Sequence, residues 1–305
     1  MNYDPEISII ILNWDGEKFL EECLNAVYEQ TYKDFEVIFV DNCSKDNSVA
    51  LVKKKFPEVK IIINEKNEGF AKGNNIGMQA AKGEYIILLN NDTHVFKDWL
   101  EVLVKAADDH EQAAVVGSLN LDYGTDICQS WGNNVNYFNN ILLFNTYIGR
   151  GEKSSHPMFK ENKEVEYVLG CSMLVKRKVL EEVGLINEIY FAYHEELDWQ
   201  YRMGLKGYKI ITSPAKLWHY GGMSSKESWH RIYLIQRNKL IFTRMQMPFA
   251  LKYWNLIVSQ PSHFMLMLGE SIVKRNFKAN VKGIYEAVKW NFKHRELKSE
   301  IPRLT

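Results

Sequence analysis

The chain has 305 residues, of which 46% are hydrophobic and 25% are charged, and its formal net charge is zero. This is an ordinary globular composition, long enough for one large core and a smaller appendage. No CxxC pair occurs, which argues against a zinc knuckle or a disulfide framework and predicts reduced thiols. The four cysteines are Cys23, Cys43, Cys128 and Cys171.

Charge is distributed unevenly along the chain. Residues 226–305 hold 15 Lys and Arg against 5 Asp and Glu, a balance of +10, so residues 1–225 carry −10. A basic tail of this kind is typical of a protein that meets an anionic surface, and electrostatics alone allow nucleic acid or anionic lipid. No apolar run reaches the roughly 18 residues that a membrane span needs.

The N-terminus leads directly into an apolar strand pattern. It shows no basic region followed by an apolar stretch, so no signal peptide is predicted. Together with the reduced cysteines, this predicts a cytoplasmic protein, with peripheral attachment to the cytoplasmic face of the membrane as one alternative.

Residues 1–119 alternate between strand and helix patterns. Continuous β-branched runs predict strands that are buried on both faces, and apolar positions at helical spacing predict the helices between them. This alternation predicts an α/β fold with a mostly parallel, doubly wound sheet. The predicted strands are 7–12, 35–40, 59–63, 84–89 and 113–119, and the predicted helices are 17–30, a helix capped by Ser44 or Asp46 that runs to 56, 73–81 and 97–110.

The rhythm is lost between residues 120 and 163, a segment rich in Asn, Gly and aromatic residues. Such a segment usually carries function or pairs as short strands. Order resumes with a strand over 165–175, a helix over 178–183 closed by Gly184, and a strand over 209–212. The pattern is helical from residue 227 onward. We therefore predict a catalytic domain over 1–225, divided at about 119 into a nucleotide-binding half and an acceptor half, and a basic amphipathic helical extension over 226–305.

Polar residues end two of the predicted strands. Asp41 follows the second strand, and Asn90-Asn91-Asp92 follow the fourth. In open α/β sheets, ligands bind beyond the carboxyl ends of the strands, and a carboxylate there can accept the N3–H of a uracil or thymine ring. The alternative is that these residues only form turns or helix caps, since Asn and Asp readily bond to their own backbone.

Glycines recur at every fourth position in residues 67–77, NEGFAKGNNIG. Such spacing lets the backbone approach a ligand or a neighbouring element. The segment is neither a dinucleotide fingerprint nor a P-loop. A glycine-rich turn that leads into a helix is the alternative interpretation.

Acidic residues cluster after an aromatic stretch that ends at His194. Next to aromatic rings, desolvation raises the pKa of Glu195 and Glu196 toward that of a useful general base, although acids at a helix start are often merely solvated. Asp198 and Arg202 are spaced for a structural ion pair. A lone His219 is usually a hydrogen-bonded core residue, but it can also join Asp92 on a hard cation.

Taken in order, these segments resemble the family 2 glycosyltransferases of the GT-A fold, particularly their rhamnosyltransferase-like branch. The resemblance covers residues 6–245, and the motifs, each weak alone, are specific as an ordered set. They are 8–16 (SIIILNWDG), 35–44 (FEVIFVDNCS), 67–77, 88–93 (LLNNDT), 168–173 (VLGCSM), 191–199 (FAYHEELDW) with Arg202 and 207–208, and 218–219.

The resemblance implies a role for each motif. Asp41 would bind the pyrimidine, and Asn90-Asn91-Asp92 would be the DxD-type motif that holds Mg²⁺ or Mn²⁺ on the diphosphate, with His219 as a further ligand. Glu196, the second acid of a catalytic pair with Glu195, would be the general base of an inverting displacement. The nucleotide pocket would be lined by Asn13, Asn67, Gly69, Lys72 and Asn91.

Two positions depart from the family pattern. Asn90 is neutral where the first acid of the DxD motif is expected, which predicts modest metal affinity or only partial metal dependence. Glu196 stands where Asp is commoner, and its extra methylene shifts the carboxylate by about an ångström.

The resemblance leaves the substrates and the rival functions open. The donor would be dTDP-rhamnose or a UDP-hexose, and the acceptor a glycan or a lipid-linked saccharide; nucleic acid is not expected as a partner. The helical extension would either lie on an anionic membrane or pack on the core. A sugar nucleotidyltransferase is less favoured because residues 8–20 lack a Gly- and Arg/Lys-rich triphosphate loop. A non-catalytic protein that binds sugar nucleotides or glycans is the remaining alternative.

Overall fold

The computed structural model describes residues 4–135, 146–221, 229–273, 277–296, 298 and 300–304, with the backbone alone for 270–273. The predicted domain boundary at 225/226 lies outside the described residues. The described strands are β1 (Ile7–Asn13), β2 (Phe35–Asp41), β3 (Lys60–Ile63), β4 (Tyr85–Asn90), β5 (Thr93–Val95), β6 (Ala113–Asp122), β7 (Cys128–Ser130), β8 (Asn133–Asn134), β9 (Thr146–Tyr147), β10 (Lys163–Val165), β11 (Ser172–Lys176) and β12 (Lys209–His219).

The described helices lie between and after these strands. They are α1 (Glu17–Tyr28), α2 (Ser48–Lys55), α3 (Gly69–Ala80), α4 (Trp99–Asp109), α5 (Arg177–Val183), α6 (Glu195–Leu205), α7 (Trp229–Gln246), α8 (Phe249–Trp254), α9 (Gln260–Val273) and α10 (Phe277–Lys293). A π-helical turn over Asn255–Ser259 joins α8 to α9.

One mixed sheet organises the fold. Its strand order is β10-β12-β6-β11-β4-β1-β2-β3, with β5 paired to β12 and β7 paired to β6. Strands β3, β2, β1 and β4 are parallel, whereas β11 is antiparallel to both of its neighbours, β4 and β6. The parallel half is the part that the alternating sequence pattern predicts.

Both faces of the sheet are covered, which explains the unbroken apolar runs. In β1, Ile9 and Ile11 belong to the core beneath α1, α2 and α4, while Ile10 belongs to the core beneath α3, α5 and α6. Successive residues of a strand point to opposite faces, so an apolar run fills both layers.

Four predicted elements differ most clearly from the structure. Helix α3 begins at Gly69 rather than 73, and α2 begins at Ser48, since Asp46 accepts a hydrogen bond from the Ser48 backbone N–H at 3.0 Å. The predicted strand over 165–175 is two short strands, β10 and β11. The predicted strand over 209–212 continues through Pro214 to His219, where register shifts accommodate the proline.

The first helix of the C-terminal extension packs on the segment around residues 190–197. Ile241 and Phe242 of α7 share a buried cluster with Tyr190 and Leu197. Helix α10 packs in turn on α7. The chain end returns to the core, where the Leu185 backbone N–H donates to the Pro302 carbonyl at 2.8 Å. Within the described residues, no helix is long and apolar enough to cross a bilayer.

Candidate active site

The polar strand ends meet at one edge of the sheet. In the register of the parallel strands, Asn13 of β1 is paired with Asp41 of β2, and Leu12 is paired with Asn90 of β4. The carboxyl ends of β1, β2 and β4 therefore present Asn and Asp residues side by side, at the edge where open α/β sheets bind ligands.

A chain of hydrogen bonds joins three of these residues. The Asn91 amide donates to Asn13 Oδ1 at 2.6 Å, and the Asn13 amide donates to Asp41 Oδ1 and to Ser44 Oγ, each at 3.0 Å. A Cβ at Gly16 would lie 2.0 Å from the Asn91 amide nitrogen, so only glycine fits over this chain. The strand ends are thus fixed relative to one another before any ligand arrives.

Asp41 is 1% exposed and already well bonded. Its carboxylate accepts from Asn13, from the Ser44 hydroxyl at 2.6 Å and from the Ser44 backbone N–H at 2.9 Å. A carboxylate offers about four acceptor positions, so one remains for a ligand N–H. The turn that was the alternative interpretation is therefore present, and pyrimidine binding by Asp41 stays a prediction.

The glycine-rich segment packs against the loop that precedes the paired acids. Gly69 has a φ of +80°, and a Cβ there would lie 2.5 Å from the Phe191 ring. The backbone N–H groups of Phe70 and Ala71 donate to the Phe191 carbonyl at 2.6 and 3.1 Å. Asn67 caps the same turn by accepting from the Gly69 N–H at 2.9 Å. The close approach is therefore to a neighbouring element, and nucleotide contacts from this segment stay a prediction.

Lys72 lies on the surface of α3. Its ammonium group is 3.0 Å from Glu68 one turn earlier, and its side chain is 40% exposed. An exposed pair of this kind contributes little to stability. Lys72 is free to exchange this partner for an anionic ligand.

Asp92 and His219 face each other at the sheet edge. His219 Nε2 is 3.3 Å from Asp92 Oδ1, and both side chains are largely buried. On its other side, His219 Nδ1 lies 2.7 Å from Gln129 Oε1. Because Gln129 Oε1 is an acceptor, His219 Nδ1 carries the hydrogen, and the lone pair of His219 Nε2 points at the Asp92 carboxylate. The Nε2 lone pair and the carboxylate oxygen are both acceptors, so a proton or a cation must lie between them.

This pair fits a hard divalent cation that keeps most of its ligands from outside the protein. Within the described residues, no group of three or more His, Cys, Asp or Glu is placed to hold a metal. Mg²⁺ is commonly bound by one or two carboxylates together with water and substrate phosphates. Asp92 and His219 supply two candidate metal ligands. Asn90, at the end of β4 and two residues before Asp92, is the predicted third.

The two glutamates at the start of α6 have environments that separate their pKa values. Burial raises the pKa of Glu195 well above its usual range, and the neighbouring Glu196 raises it further. Burial also raises the pKa of Glu196, but the hydrogen bond from Glu195 lowers it. Glu195 therefore holds the proton and Glu196 is the stronger acid of the two, so Glu196 is the carboxylate available as a base.

His194 is excluded as a rival base. Burial, together with the nearby charge of Lys239, lowers the pKa of His194 to about 3, so its imidazole is neutral and a poor proton acceptor near neutral pH. Burial likewise lowers the pKa of Lys239 to about 8.

Residues 170 and 171 contact both Glu196 and the end of β4. Cys171 is buried, its carbonyl accepts from the Asn90 backbone N–H at 2.9 Å, and burial raises the pKa of its thiol. A Cβ at Gly170, the preceding residue, would lie 3.9 Å from the Glu196 Cβ, so Glu196 packs beside this segment. Asp92 and His219 face each other just beyond the end of β4, so the three side chains belong to one edge of the sheet, and their roles stay predictions.

The loop before Glu195 is strained. Phe191, Tyr193 and His194 have φ values of 64°, 70° and 70°, which are uncommon for non-glycine residues. With a ψ of −62° at Phe191 and a hydrogen bond from the Ala192 N–H to the Tyr190 carbonyl, the turn at Phe191 is the rare γ-turn. Such backbone persists only where its surroundings hold it.

Asn238 of α7 holds this loop. Its fully buried carboxamide nitrogen donates to the carbonyls of Tyr190, Ala192 and Tyr193 at 2.9, 2.7 and 2.6 Å. The adjacent Arg237 guanidinium donates to the Tyr190 carbonyl at 2.6 Å. The C-terminal extension therefore fixes the loop that aims Glu195 and Glu196.

Replacing Asn238 with aspartate is expected to loosen this loop, because an ionised carboxylate offers no donor to the three carbonyls. We expect the free energy of unfolding to fall by about 1–3 kcal/mol and the amides of residues 190–196 to exchange hydrogen faster. Asn255→Asp is the matched control, since the Asn255 oxygen accepts from Gln260 and Thr243 and is retained. Equal protection of the loop in Asn238→Asp and the parent would contradict this role.

Several residues of the site were not predicted from the sequence. Ser44 and Gln129 orient Asp41 and His219, and Asn238 holds the loop from the extension. Ser44 could have been found from the sequence, because a serine three residues after a strand-end aspartate can donate to its carboxylate. Gln129 and Asn238 could not, because each reaches its partner only through tertiary folding. The ion pair predicted between Asp198 and Arg202 is present, at 3.0 Å.

Comparison with known proteins assigns the class. The model of the family "Glycosyl transferase family 2" matches residues 8–184, more than half of the chain. The chain therefore belongs to glycosyltransferase family 2.

Two curated relatives show how far the likeness extends. The chain is 30% identical over 115 residues to glycosyltransferase GlyG of Streptococcus pneumoniae serotype 4, covering 37% of this chain and 38% of that protein. It is 25% identical over 205 residues to the poly(ribitol-phosphate) beta-N-acetylglucosaminyltransferase TarS of Staphylococcus aureus, covering 63% of this chain and 30% of that protein. The matches thus span less than two fifths of either relative.

Solved structures confirm the predicted fold class. The mannosyltransferase PcManGT from Pyrobaculum calidifontis, in complex with GDP-Man and Mn²⁺, superposes with a TM-score of 0.58 at 16% identity over 94% of this chain and 87% of that chain. S. aureus TarS 1–349 in complex with UDP gives 0.56 at 19% identity, over 87% and 74%. At these identities the likeness shows the fold: an α/β GT-A sheet followed by a C-terminal helical region.

Proposed function

We propose that this protein is an inverting glycosyltransferase that moves a sugar from a nucleoside diphosphate to a hydroxyl of a glycan or lipid-linked saccharide. The observation that supports this most directly is the position of Glu196 beside Gly170, next to the Cys171 carbonyl that accepts from the Asn90 N–H at the end of β4, just before Asp92. A diphosphate site and a buried base at one edge of the sheet suit a single displacement, in which the acceptor oxygen replaces the nucleoside diphosphate at the sugar. TarS, a relative, is named as a glycosyltransferase and has been solved with UDP and with UDP-GlcNAc.

The proposed reaction needs one proton transfer, from the acceptor hydroxyl to this chain. Glu196 accepts the proton of the acceptor hydroxyl as that oxygen attacks the anomeric carbon from the face opposite the diphosphate. Glu195 stays protonated and orients the Glu196 carboxylate by hydrogen bonding. Burial of the pair keeps water away from the base, and attack on the opposite face inverts the anomeric configuration.

Asp92 and His219, with Asn90, would hold a Mg²⁺ or Mn²⁺ ion. When bound, the ion would neutralise charge on the leaving diphosphate. PcManGT, a structural neighbour, has been solved with Mn²⁺. The residues proposed to bind the nucleotide are Asn13, Asp41, Asn67, Gly69, Lys72 and Asn91.

The donor is proposed to be dTDP-rhamnose or a UDP-hexose. Asp41 retains one acceptor position, which suits the N3–H that thymine and uracil share. A carboxylate at this position does not distinguish the two bases, so the choice between them must be measured directly.

A thermal-shift screen tests the donor. We expect dTDP-rhamnose or a UDP-sugar, with Mn²⁺, to raise the melting temperature, because a ligand at about 100 times its Kd stabilises by about 2.7 kcal/mol. A CDP-sugar serves as the control, since cytosine N3 carries no hydrogen and cannot donate to the Asp41 carboxylate. A shift produced instead by a nucleoside triphosphate and a sugar 1-phosphate would contradict the proposal and favour a nucleotidyltransferase.

A further inference from the structure

Helix α10 buries its polar and small residues and exposes its apolar residues, the opposite of a helix that only packs on a core. Its fully or largely buried residues, which face α7, are small or polar. Its exposed residues form an apolar stripe at spacings of four, four, three and four, which is one face of a helix. The buried set is Asn280, Gly283, Ala287 and Asn291, and the stripe is Phe277, Val281, Tyr285, Val288 and Phe292, exposed by 40–71%.

Packing explains why α10 cannot turn the stripe inward. A Cβ at Gly283 would lie 2.7 Å from Ile232 of α7, so the two helices are in close contact there. The Asn291 amide donates to the Arg237 carbonyl at 3.1 Å, and Arg244 donates to Asn291 Oδ1 at 2.9 Å. These bonds fix the polar face against α7 and leave the apolar face outward.

The helical segment from α8 to α9 likewise buries polar residues and exposes apolar ones. Asn255, Ser259 and Gln260 are buried, with the Gln260 amide donating to Asn255 Oδ1 at 2.9 Å. Apolar side chains are exposed at intervals along the same segment. They are Phe249, Tyr253, Trp254, Ile257, Met265 and Leu266, exposed by 44–77%.

Lysines border the α10 stripe. Four of them, each one position after a stripe residue, lie about 100° around the helix axis from it. Glu286 is the one acidic residue of α10. The lysines are Lys278, Lys282, Lys289 and Lys293.

We propose that these two stripes, on α10 and on α8–α9, bind the surface of an anionic lipid bilayer. Exposed Phe, Tyr and Val side chains bordered by lysines on α10 match the interface between headgroups and acyl chains, and α8–α9 adds exposed aromatic and aliphatic side chains. A second copy of the chain is a poorer partner, because a two-fold contact between like helices would bring lysines toward lysines. Residues 1–225 carry a net charge of −10, so an anionic bilayer repels them and favours contact through the extension. This proposal does not depend on the proposed reaction.

Vesicle flotation of the full chain tests it. We expect binding to phosphatidylcholine vesicles that contain phosphatidylglycerol, weakened by salt, and little binding to phosphatidylcholine alone. The variant Tyr285→Ser/Val288→Ser/Phe292→Ser should lower the partition coefficient by about a hundredfold or more. The variant Lys282→Gln/Lys289→Gln/Lys293→Gln should lower it by about fivefold per lysine and reduce its salt dependence.

The control removes exposed apolar side chains elsewhere. Ile63→Ser/Leu205→Ser, at positions 53% and 66% exposed on the catalytic domain, should bind vesicles like the parent. Far-UV circular dichroism and unchanged melting temperatures establish that the variants are folded. Failure of the parent to bind anionic vesicles, or equal binding by the stripe variant, overturns the proposal. A parent dimer that the stripe variant dissociates, with vesicle binding unchanged, assigns the surface to a second copy instead.

Discussion

Substitution of Glu196 by glutamine is expected to lower turnover by about 10²–10⁴-fold while leaving donor binding nearly intact. Glutamine keeps the size of the side chain and its hydrogen bond to Glu195, but it cannot take a proton from the acceptor. Initial rates with the donor found by thermal shift measure the loss, and the donor-induced shift itself measures binding. A non-catalytic binding protein would keep its function in this variant.

The same residue predicts how turnover depends on pH. Burial raises the pKa of Glu196, so the base becomes protonated as pH falls through this raised value, and turnover falls with it. As pH falls, the parent should therefore lose activity at a higher pH than an enzyme whose base is an exposed glutamate. The residual activity of Glu196→Gln should not show this fall at acidic pH. Glu181→Gln, at an exposed position on α5, is the matched control. Parent-like turnover in Glu196→Gln would refute the assignment of the base.

The parallel half of the sheet could be predicted from sequence because its signals are local. Strands β1, β2 and β4 are unbroken apolar runs that end in Asn or Asp, and burial on both faces demands such runs. The polar strand ends then converge because parallel strands share an edge. This is why Asp41 and Asp92 could be placed at one edge from the strand pattern, whereas Asn13 was implied by the family resemblance.

The start of α3 could not be predicted, because its cause is distant in the chain. Glycine disfavours a helix interior, so residues 69–72 (GFAK) are predicted as the turn before a helix that begins at residue 73. In the structure, the Phe191 carbonyl accepts the free N–H groups of Phe70 and Ala71 and stabilises the first turn. Tertiary contact with the strained loop overrides local propensity here.

The role of the helical extension could be predicted only in part. Its composition predicts basic amphipathic helices, and periodicity finds their apolar stripes. Periodicity does not say which face is buried, because a core helix and an interfacial helix share one pattern. The buried polar set on α10 and the contacts of Asn238 appear only in the structure. The extension therefore has two parts: α7 packs on the core, and α10 presents its apolar face outward.

Replacing Asp92 with alanine is expected to lower activity by more than about a hundredfold, because the ion on the diphosphate contributes several kcal/mol. Asn90→Ala should cost far less, about tenfold at most, since a neutral amide is a weak ligand. Manganese titrations of activity and calorimetry of Mn²⁺ with the bound nucleotide compare the two variants, with Asp109→Ala on the surface of α4 as the control. His219→Ala should fall between them, because His219 is the second proposed ligand and its Nε2 lies 3.3 Å from the Asp92 carboxylate. Comparable losses in Asp92→Ala and Asn90→Ala would mean that the first position of the motif holds the metal after all. A large loss in Asp92→Ala that excess Mn²⁺ restores would instead show that the donor's own phosphates carry most of the affinity.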